Sequence, residues 1–131
     1  MNNKFTVEII SPDQKILKQE VNEVIIPSYE GQMGILKDHI PLITFLRPGL
    51  IVIKNQSEKK YYVEEGTVEF SNNNLLILTS TAKNLDNFDK KFINELLVHA
   101  EKRFKDSNST DTDKERYITS YKIETLKEIS Q

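Results

Sequence analysis

The chain has 131 residues, a formal net charge of −2 and no cysteine, and this length suits one ordinary domain or one domain with a small addition. The slightly negative charge argues against a nucleic-acid partner, and the lack of cysteine excludes disulfides, zinc fingers and thiol chemistry. No apolar run approaches the roughly 20 residues that cross a bilayer, and the first residues lead straight into an alternating pattern without a signal sequence. We therefore expect no direct membrane insertion.

Glycine, proline and charge divide the chain into two parts. All four glycines and all four prolines lie at or before Gly66, and none follows it. Residues 85–131 instead carry 19 charged residues in 47, and a densely charged segment without glycine or proline is typical of surface helices. The sequence predicts a β-sandwich domain over residues 1–84 and a helical hairpin domain over residues 85–131.

Residues 1–84 alternate between apolar and polar side chains, which is the pattern of strands that bury one face. In the first strand the predicted inward row is Phe5, Val7 and Ile9. Val21 to Ile26 is a second extended run that Pro27 is expected to stop, and Arg47-Pro48-Gly49 is a turn-type tripeptide between two apolar runs. Short strands at a spacing of about ten residues favour an antiparallel sandwich or a flattened barrel.

Residues 85–131 follow helical spacing instead. The first predicted helix has an apolar stripe, with Asp86 or Asn87 as its expected N-cap. The stripe consists of Phe88, Phe92, Leu96, Ala100 and Phe104, widened by Ile93 and Leu97. A polar break over residues 106–111 and a capping box over residues 112–115 precede a second, less apolar helix that ends near Ile129. The predicted fold class is α+β: an N-terminal antiparallel β-sandwich followed by a C-terminal two-helix antiparallel hairpin.

The stretch from Glu30 to Gly49 holds three of the four glycines and two of the four prolines. Gly31 and Gly34 are expected to relieve strain where the backbone turns, while Pro41 and Pro48 fix φ at the two ends of an apolar strand. The stretch contains no nucleophile beside a base, no metal-ligand spacing and no lysine followed by serine or threonine to bind phosphate. The pattern predicts a shaped contact surface rather than a reaction centre.

Two other interpretations use the same region. His39 could order the loop or contact a partner, and together with Glu64 and Glu69 it would be needed for a hydrolase. Neighbouring residues of a strand point to opposite faces, however, so these carboxylates are better explained as a solvated edge. The remaining alternative is a free-standing β-sandwich that binds a small ligand, with residues 30–49 lining the pocket and the helices as a lid.

The ordered motifs of this stretch resemble one known family. Residues 30–36 read EGxxGxL, residues 39–46 read HxPLxTxL, and Pro48-Gly49 follows. Together with Gly66 and the predicted helical hairpin, this combination resembles the epsilon subunit of bacterial F-type ATP synthases, called delta in mitochondria. The resemblance extends over nearly the whole chain.

The resemblance implies a non-catalytic subunit of the central stalk that couples proton-driven rotation of the membrane ring to ATP synthesis. It implies ten strands and two helices, the gamma subunit and the c-ring as partners, and a peripheral position on the cytoplasmic face of the bacterial inner membrane. The implied ring-contact residues are Glu30, Gly31, Gln32, Asp38 and His39. The implied loop-shaping residues are Gly34, Pro41, Leu42, Pro48 and Gly49. No catalytic residue, cofactor or metal is implied.

Two features of this family fit the sequence poorly. Bacterial members often carry an ATP-binding motif in which an arginine and an alanine follow a start like Leu85-Asp86, whereas this chain has Asp89 and Lys90 there. An acidic side chain repels phosphate, and Lys90 points about 100° further round the helix, so we predict no useful ATP binding. The basic residues of the last helix are matched by acidic ones, so contact with the alpha/beta hexamer is predicted to inhibit weakly.

Overall fold

The computed structural model describes residues 3–87, 89–105 and 113–130. The chain divides into two compact units, Met1–Leu85 and Asp86–Gln131. The first unit contains ten strands and the second contains two helices, so the predicted fold class of a β-sandwich followed by two helices is confirmed.

The strands are short and follow one another closely along the chain. They are β1 (Phe5–Ile10), β2 (Lys15–Val21), β3 (Glu23–Ser28), β4 (Gly31–Leu36), β5 (Leu42–Leu46), β6 (Gly49–Lys54), β7 (Glu58–Val63), β8 (Gly66–Ser71), β9 (Asn74–Leu78) and β10 (Lys83–Asn84). Their order is β10-β7-β6-β3-β5-β8-β9-β1-β2, and β4 pairs with β3. Among the strands described, β1 and β9 pair in parallel and the other pairs are antiparallel.

The core of the sandwich consists of the side chains that alternate inward along the strands. The buried apolar set includes the predicted inward row of β1, and Phe5 meets Phe70 edge to face with 5.7 Å between ring centroids. Other fully buried members include Val24, Ile26, Ile35, Ile51, Ile53, Val68, Leu75 and Ile77. Each large aliphatic side chain buried in this way contributes about 1.5–3 kcal/mol to stability. This continuous core supports the surfaces described below.

Two turn predictions need correction. The strand β3 continues through Pro27 to Ser28. Pro27 stays paired with Gln32 of β4, and on the other side of β3 the neighbour changes from β6 at Ile25 to β5 at Ser28, so on that side the missing N–H interrupts no continuous ladder. Arg47-Pro48 likewise does not reverse the chain: it is an irregular bulge between β5 and β6, which run in the same direction one after the other along β3. From Ile25 to Ser28 the strand β3 advances three residues while its partner advances six.

The second unit contains a short 3₁₀ helix (Leu85–Asn87), α1 (Lys90–Lys105) and α2 (Asp113–Ser130). The N-cap of α1 is Asp89, not Asp86 or Asn87, because the 3₁₀ turn occupies those residues. The Asp89 Oδ1 accepts a hydrogen bond from Lys91 N at 3.0 Å, and its carbonyl accepts one from Ile93 N at 3.1 Å. Phe88 and the predicted Thr112 cap lie outside the described residues.

The two helices pack as an antiparallel hairpin. Lys127 Nζ lies 3.8 Å from Glu101 Oε1, and the Arg116 guanidinium lies 5.5 Å from the centroid of the Phe104 ring. The buried positions are Ile93, Ala100, Thr125 and Leu126, whereas Phe92 and Tyr117 are exposed. Both buried residues of α1 belong to the predicted apolar stripe, in which Leu96, Leu97 and Phe104 are half-buried and only Phe92, among the described members, is exposed.

Candidate contact surfaces

The turn between β3 and β4 forms an exposed, tightly bonded hairpin tip. Ser28 is paired with Gly31, and its buried hydroxyl donates to Gly31 O at 2.7 Å. The same hydroxyl accepts a hydrogen bond from Glu30 N at 3.3 Å. Gly31 has φ +115, a conformation that residues with a Cβ rarely adopt. The side chains of Glu30 and Gln32 project from this tip into solvent. We call Glu30–Gln32 the hairpin tip.

Arg47 supports the hairpin tip from the adjoining bulge. Its Nε donates to Ser28 O at 3.1 Å, and its backbone N donates to Pro27 O at 3.0 Å. Gly49 packs so tightly behind this bulge that an added Cβ would lie 2.5 Å from Pro27 Cβ. Arg47 was not among the site residues expected from the sequence. The signal for it was a single arginine at the end of an apolar run, directly before Pro-Gly. The backbone beneath the tip is therefore fixed from two directions.

Gly34 was predicted to lie where the backbone turns, and the structure shows that it does not. It lies within β4 opposite Ile25, and it is not among the described residues with positive φ. A Cβ at this position would meet Glu23 Oε2 at 3.5 Å, an ordinary contact distance. The segment Gly31–Leu36 is a strand, so the backbone reverses at residues 29–30 and again after Leu36.

The residues implied to contact the ring fall into two groups at opposite ends of β4. Glu30, Gly31 and Gln32 are at the hairpin tip, whereas Asp38 and His39 follow the other end of the strand. Five steps of about 3.3 Å place Gly31 and Leu36 roughly 17 Å apart. One small contact surface cannot include both groups.

Asp38 and His39 are engaged with their own chain. Asp38 has φ +66, its backbone N donates to Asn73 Oδ1 at 2.7 Å, and its Oδ1 accepts from Asn73 Nδ2 at 3.0 Å. The His39 ring meets the Phe70 ring edge to face at 5.9 Å, and His39 Nδ1 lies 2.7 Å from Ile40 O. His39 was expected either to order the loop or to contact a partner. These contacts within the chain favour the loop-ordering role.

An exposed row of apolar side chains begins directly after this turn. Ile40 is 73% exposed, Ile43 is 77% exposed and Phe45 is 60% exposed. In β5 the alternate residues Thr44 and Leu46 are buried, so Ile43 and Phe45 point outward. Across the sheet Phe45 pairs with Thr67, which pairs with Leu78, another exposed apolar residue. We call Ile40, Ile43, Phe45 and Leu78 the outer apolar face.

The outer apolar face is a feature that sequence reasoning missed. In the segment LITFL both alternating rows contain large apolar side chains, a pattern that predicts a strand buried on both faces. The structure buries one row and leaves the other exposed. Large adjacent apolar groups on a protein surface mark sites of association. Pro41 is exposed and Leu42 packs partly against the core.

The carboxylates considered for hydrolysis do not form a site with His39. Glu64 precedes β8, and its Oε1 accepts a hydrogen bond from Tyr62 OH at 3.1 Å. His39 contacts Phe70 near the other end of that strand, so about six residues of extended chain separate Glu64 from His39. Glu69 is next to Phe70 in β8, but it points to the exposed face of the strand, whereas the Phe70 ring that His39 contacts is buried. Among the described residues, no three His, Asp or Glu side chains form a group able to hold a metal ion.

The predicted non-binding ATP motif lies at the start of the second unit. Leu85 and Asp86 belong to the 3₁₀ helix, and the Asp89 carboxylate caps α1. A cavity of about 320 Å³ lies between the helices. It is lined by Glu101, Phe104, Lys105, Ser120, Ile123 and Lys127 and includes no residue of the stretch from 30 to 49. Among the described residues, no helix is both long and apolar enough to cross a membrane.

Comparison with known proteins agrees with this architecture. A family model described as the beta-sandwich domain of the ATP synthase delta/epsilon chain matches residues 4–85. The ATP synthase epsilon chain of Pelagibacter ubique is 48% identical over 132 residues, which cover 99% of this chain and all of that protein. The mitochondrial ATP synthase subunit delta of Schizosaccharomyces pombe is 38% identical over 114 residues, covering 84% of this chain and 66% of that protein.

A similar fold occurs in a solved structure. One chain of the Euglena gracilis mitochondrial ATP synthase superposes with a TM-score of 0.75 at 20% identity, covering 97% of this chain and 79% of that one. The sequence match to the epsilon chains covers the motifs of residues 30–49, and the superposition extends to the helical region. The chain therefore belongs to the delta/epsilon family of ATP synthase subunits, and the resemblance found in its sequence is confirmed.

Proposed function

We propose that this chain is the central-stalk subunit that connects the rotating membrane ring to the gamma shaft, so that ion-driven rotation drives ATP synthesis elsewhere in the complex. The sandwich docks on gamma through the outer apolar face, and the hairpin tip rests on the polar loops of the c-ring. The observation that carries this proposal is the outward row of Ile43 and Phe45 on β5, whose other row is buried, with exposed Ile40 just before the strand.

The chemistry of the outer apolar face suits a lasting protein contact. Exposed Ile43 and Phe45 stand beside Glu69 and Thr67 of β8, so apolar anchors alternate with polar groups. Buried apolar anchors near the centre of an interface carry most of its binding energy. The anchors project from a sheet whose other side is core, and a rigid support reduces the ordering cost of association.

The hairpin tip suits a different kind of contact. It offers polar side chains and exposed backbone at Glu30–Gln32, supported by Ser28 and Arg47. Such a surface can push against polar loops without deforming. Torque transmission requires stiffness and surface complementarity, and neither surface contains a reactive pair. We therefore assign this chain no catalytic step. As part of the ATP synthase complex, it is proposed to lie peripherally, on the cytoplasmic face of the bacterial inner membrane.

The helical hairpin is proposed to act weakly on the alpha/beta hexamer. Lys127 already faces Glu101, and Asp89 occupies the position where the ATP motif needs a cation. Deleting residues 85–131 should change the ATPase rate of the assembled complex by less than about twofold. A clear acceleration on truncation contradicts the weak-inhibition proposal, as saturable binding of millimolar ATP in calorimetry contradicts the non-binding one.

The docking proposal is tested by the affinity of the full chain for purified gamma subunit. Replacing Ile43 and Phe45 together by glutamine should weaken binding by at least about 30-fold, because two central anchors that cost more than about 1 kcal/mol each together cost more than about 2 kcal/mol. Val98→Gln, at an exposed apolar residue of α1, is the matched control and should leave the affinity unchanged. A wild-type chain that stays monomeric with gamma, and melts at higher temperature with a small ligand, supports the free-standing binding protein instead.

A further inference from the structure

Two turns from distant parts of the chain are joined beside the outer apolar face. One contains Asp38 at φ +66, and the other is the two-residue turn Asn72-Asn73 between β8 and β9, with φ +51 and +59. Asp38 N donates to Asn73 Oδ1 at 2.7 Å, and Asn73 Nδ2 donates to Asp38 Oδ1 at 3.0 Å. The Asn73 amide therefore bonds both the backbone and the side chain of Asp38, across 35 residues of sequence.

Asn73 is itself held by the sheet. Its carbonyl accepts a hydrogen bond from Thr6 N at 3.0 Å, at the point where β1 pairs in parallel with β9. Left-handed φ angles at both central residues are the geometry of a type I′ hairpin, which fixes the register of its strands. The pair thus connects the Asp38 turn to a rigid part of the sandwich.

The Asp38 turn leads directly into the outer apolar face. His39 follows with its ring against Phe70 and its backbone N bonded to Leu36 O at 3.1 Å, and then Ile40 projects into solvent. A left-handed φ is unfavourable for most residues with a Cβ, so contacts that hold Asp38 in this conformation also fix where the following residues begin. The amide of Asn73 fixes it by bonding both the backbone and the carboxylate of Asp38.

We infer that Asp38 and Asn73 are positioning residues that hold the outer apolar face in the conformation that docks on gamma. This inference rests on the proposed function and assigns Asp38 a positioning role in place of the ring contact that the family resemblance implied. Pre-ordering a surface improves affinity because binding no longer has to order it. The pair should therefore affect affinity more than it affects folding.

The test is a swap of the two side chains, measured as affinity of the full chain for purified gamma and as midpoint of thermal unfolding. Asn73→Asp places two carboxylates where an amide met a carboxylate and should weaken binding about tenfold. The double variant Asp38→Asn with Asn73→Asp restores an amide opposite a carboxylate, and its affinity should return to within about twofold of wild type. Aspartate and asparagine both tolerate left-handed φ, so the turns are kept.

Two further variants keep the result interpretable. Gln14→Glu adds the same charge at an exposed turn between β1 and β2 and should not change the affinity. Asn73→Gly retains the left-handed turn without the side chain and should weaken binding like Asn73→Asp, which provides a second route if that variant folds poorly.

The possible outcomes separate the two proposals. Weaker binding by Asn73→Asp with recovery in the double variant supports positioning. Unchanged affinity with a lowered unfolding midpoint shows a merely structural pair and overturns the inference, as does a double variant that does not recover. Failure of the wild-type chain to bind gamma overturns the proposed function itself.

Discussion

The two units of this chain differ in how much buried core and how many fixed turns stabilise them. The sandwich has a continuous apolar core and turns fixed by special residues, such as Asn72-Asn73 and the close packing of Gly49 on Pro27. Among its described residues the helical hairpin has few buried positions, and 19 of the 47 residues from 85 to 131 are charged. Local stability follows buried apolar contacts. We therefore expect the sandwich to supply the stiffness that transmits force, and substitutions in the helices to cost less stability.

One substitution in the core of each unit tests whether the sandwich unfolds independently of the helices, and the sandwich substitution should have the greatest effect of those considered. Phe70→Ala removes a ring that contacts Phe5 and His39 and should lower the free energy of unfolding of the sandwich by about 3–5 kcal/mol. Leu126→Ala, at a fully buried position of α2, should reduce helical signal without moving the main transition. Urea unfolding followed by circular dichroism measures both. A main transition shifted equally by Leu126→Ala would contradict the separation.

A smaller effect should distinguish the glycines within the sandwich. Gly49→Ala forces a Cβ to within 2.5 Å of Pro27 Cβ and should cost about 1–3 kcal/mol of stability. Gly34→Ala meets its nearest atom at 3.5 Å and should stabilise the chain by about 0.4–1 kcal/mol, because it restricts the unfolded state. Thermal unfolding of the two variants provides the measurement. Equal changes in stability would contradict the expected difference in packing between the two sites.

The smallest effect concerns Tyr62, whose neighbours Tyr61 and Val63 are in the core. Burial, followed by the Glu64 carboxylate and the hydrogen bond to it, raises the pKa of Tyr62 well above its ordinary value of 10.0. The folded chain therefore keeps a proton that the unfolded chain releases above pH 10. This stabilisation is complete below pH 10 and is lost above it by about 1.4 kcal/mol per pH unit.

The Tyr62→Phe variant isolates this dependence. Between pH 10 and 11 its free energy of unfolding should fall less steeply than that of the wild type, by about 1 kcal/mol over that interval. Denaturant unfolding at several alkaline pH values measures the difference. Parallel curves for the two proteins would show that the Tyr62 hydroxyl ionises as freely in the folded chain as in the unfolded one.

Strand positions and the division into strands followed by helices were predictable because alternation and helical spacing are local patterns. The inward row of β1 and the absence of glycine after Gly66 are examples. Pro27 and Arg47 show the limit. The effect of each depends on which strand lies alongside, and no local pattern contains that information.

The contact surfaces were predicted less well than the fold. Motif resemblance grouped Asp38 with Glu30 because they are close in sequence, but a strand between them places them at opposite ends. Ile43 and Phe45 were hidden in an apolar run whose two faces could not be distinguished. The Asp38–Asn73 pair depends on contacts between residues 35 positions apart, which one sequence does not reveal.

In the proposed function the sandwich contacts two different partners, gamma through the outer apolar face and the ring through the hairpin tip. The chain has no cysteine, so single cysteines introduced by Gln32→Cys and Ile43→Cys report individual contacts by crosslinking in membranes containing the assembled complex. We predict that Gln32→Cys crosslinks to the c-ring and Ile43→Cys to gamma. Crosslinking of both to one partner, or of neither to any subunit, would contradict this assignment.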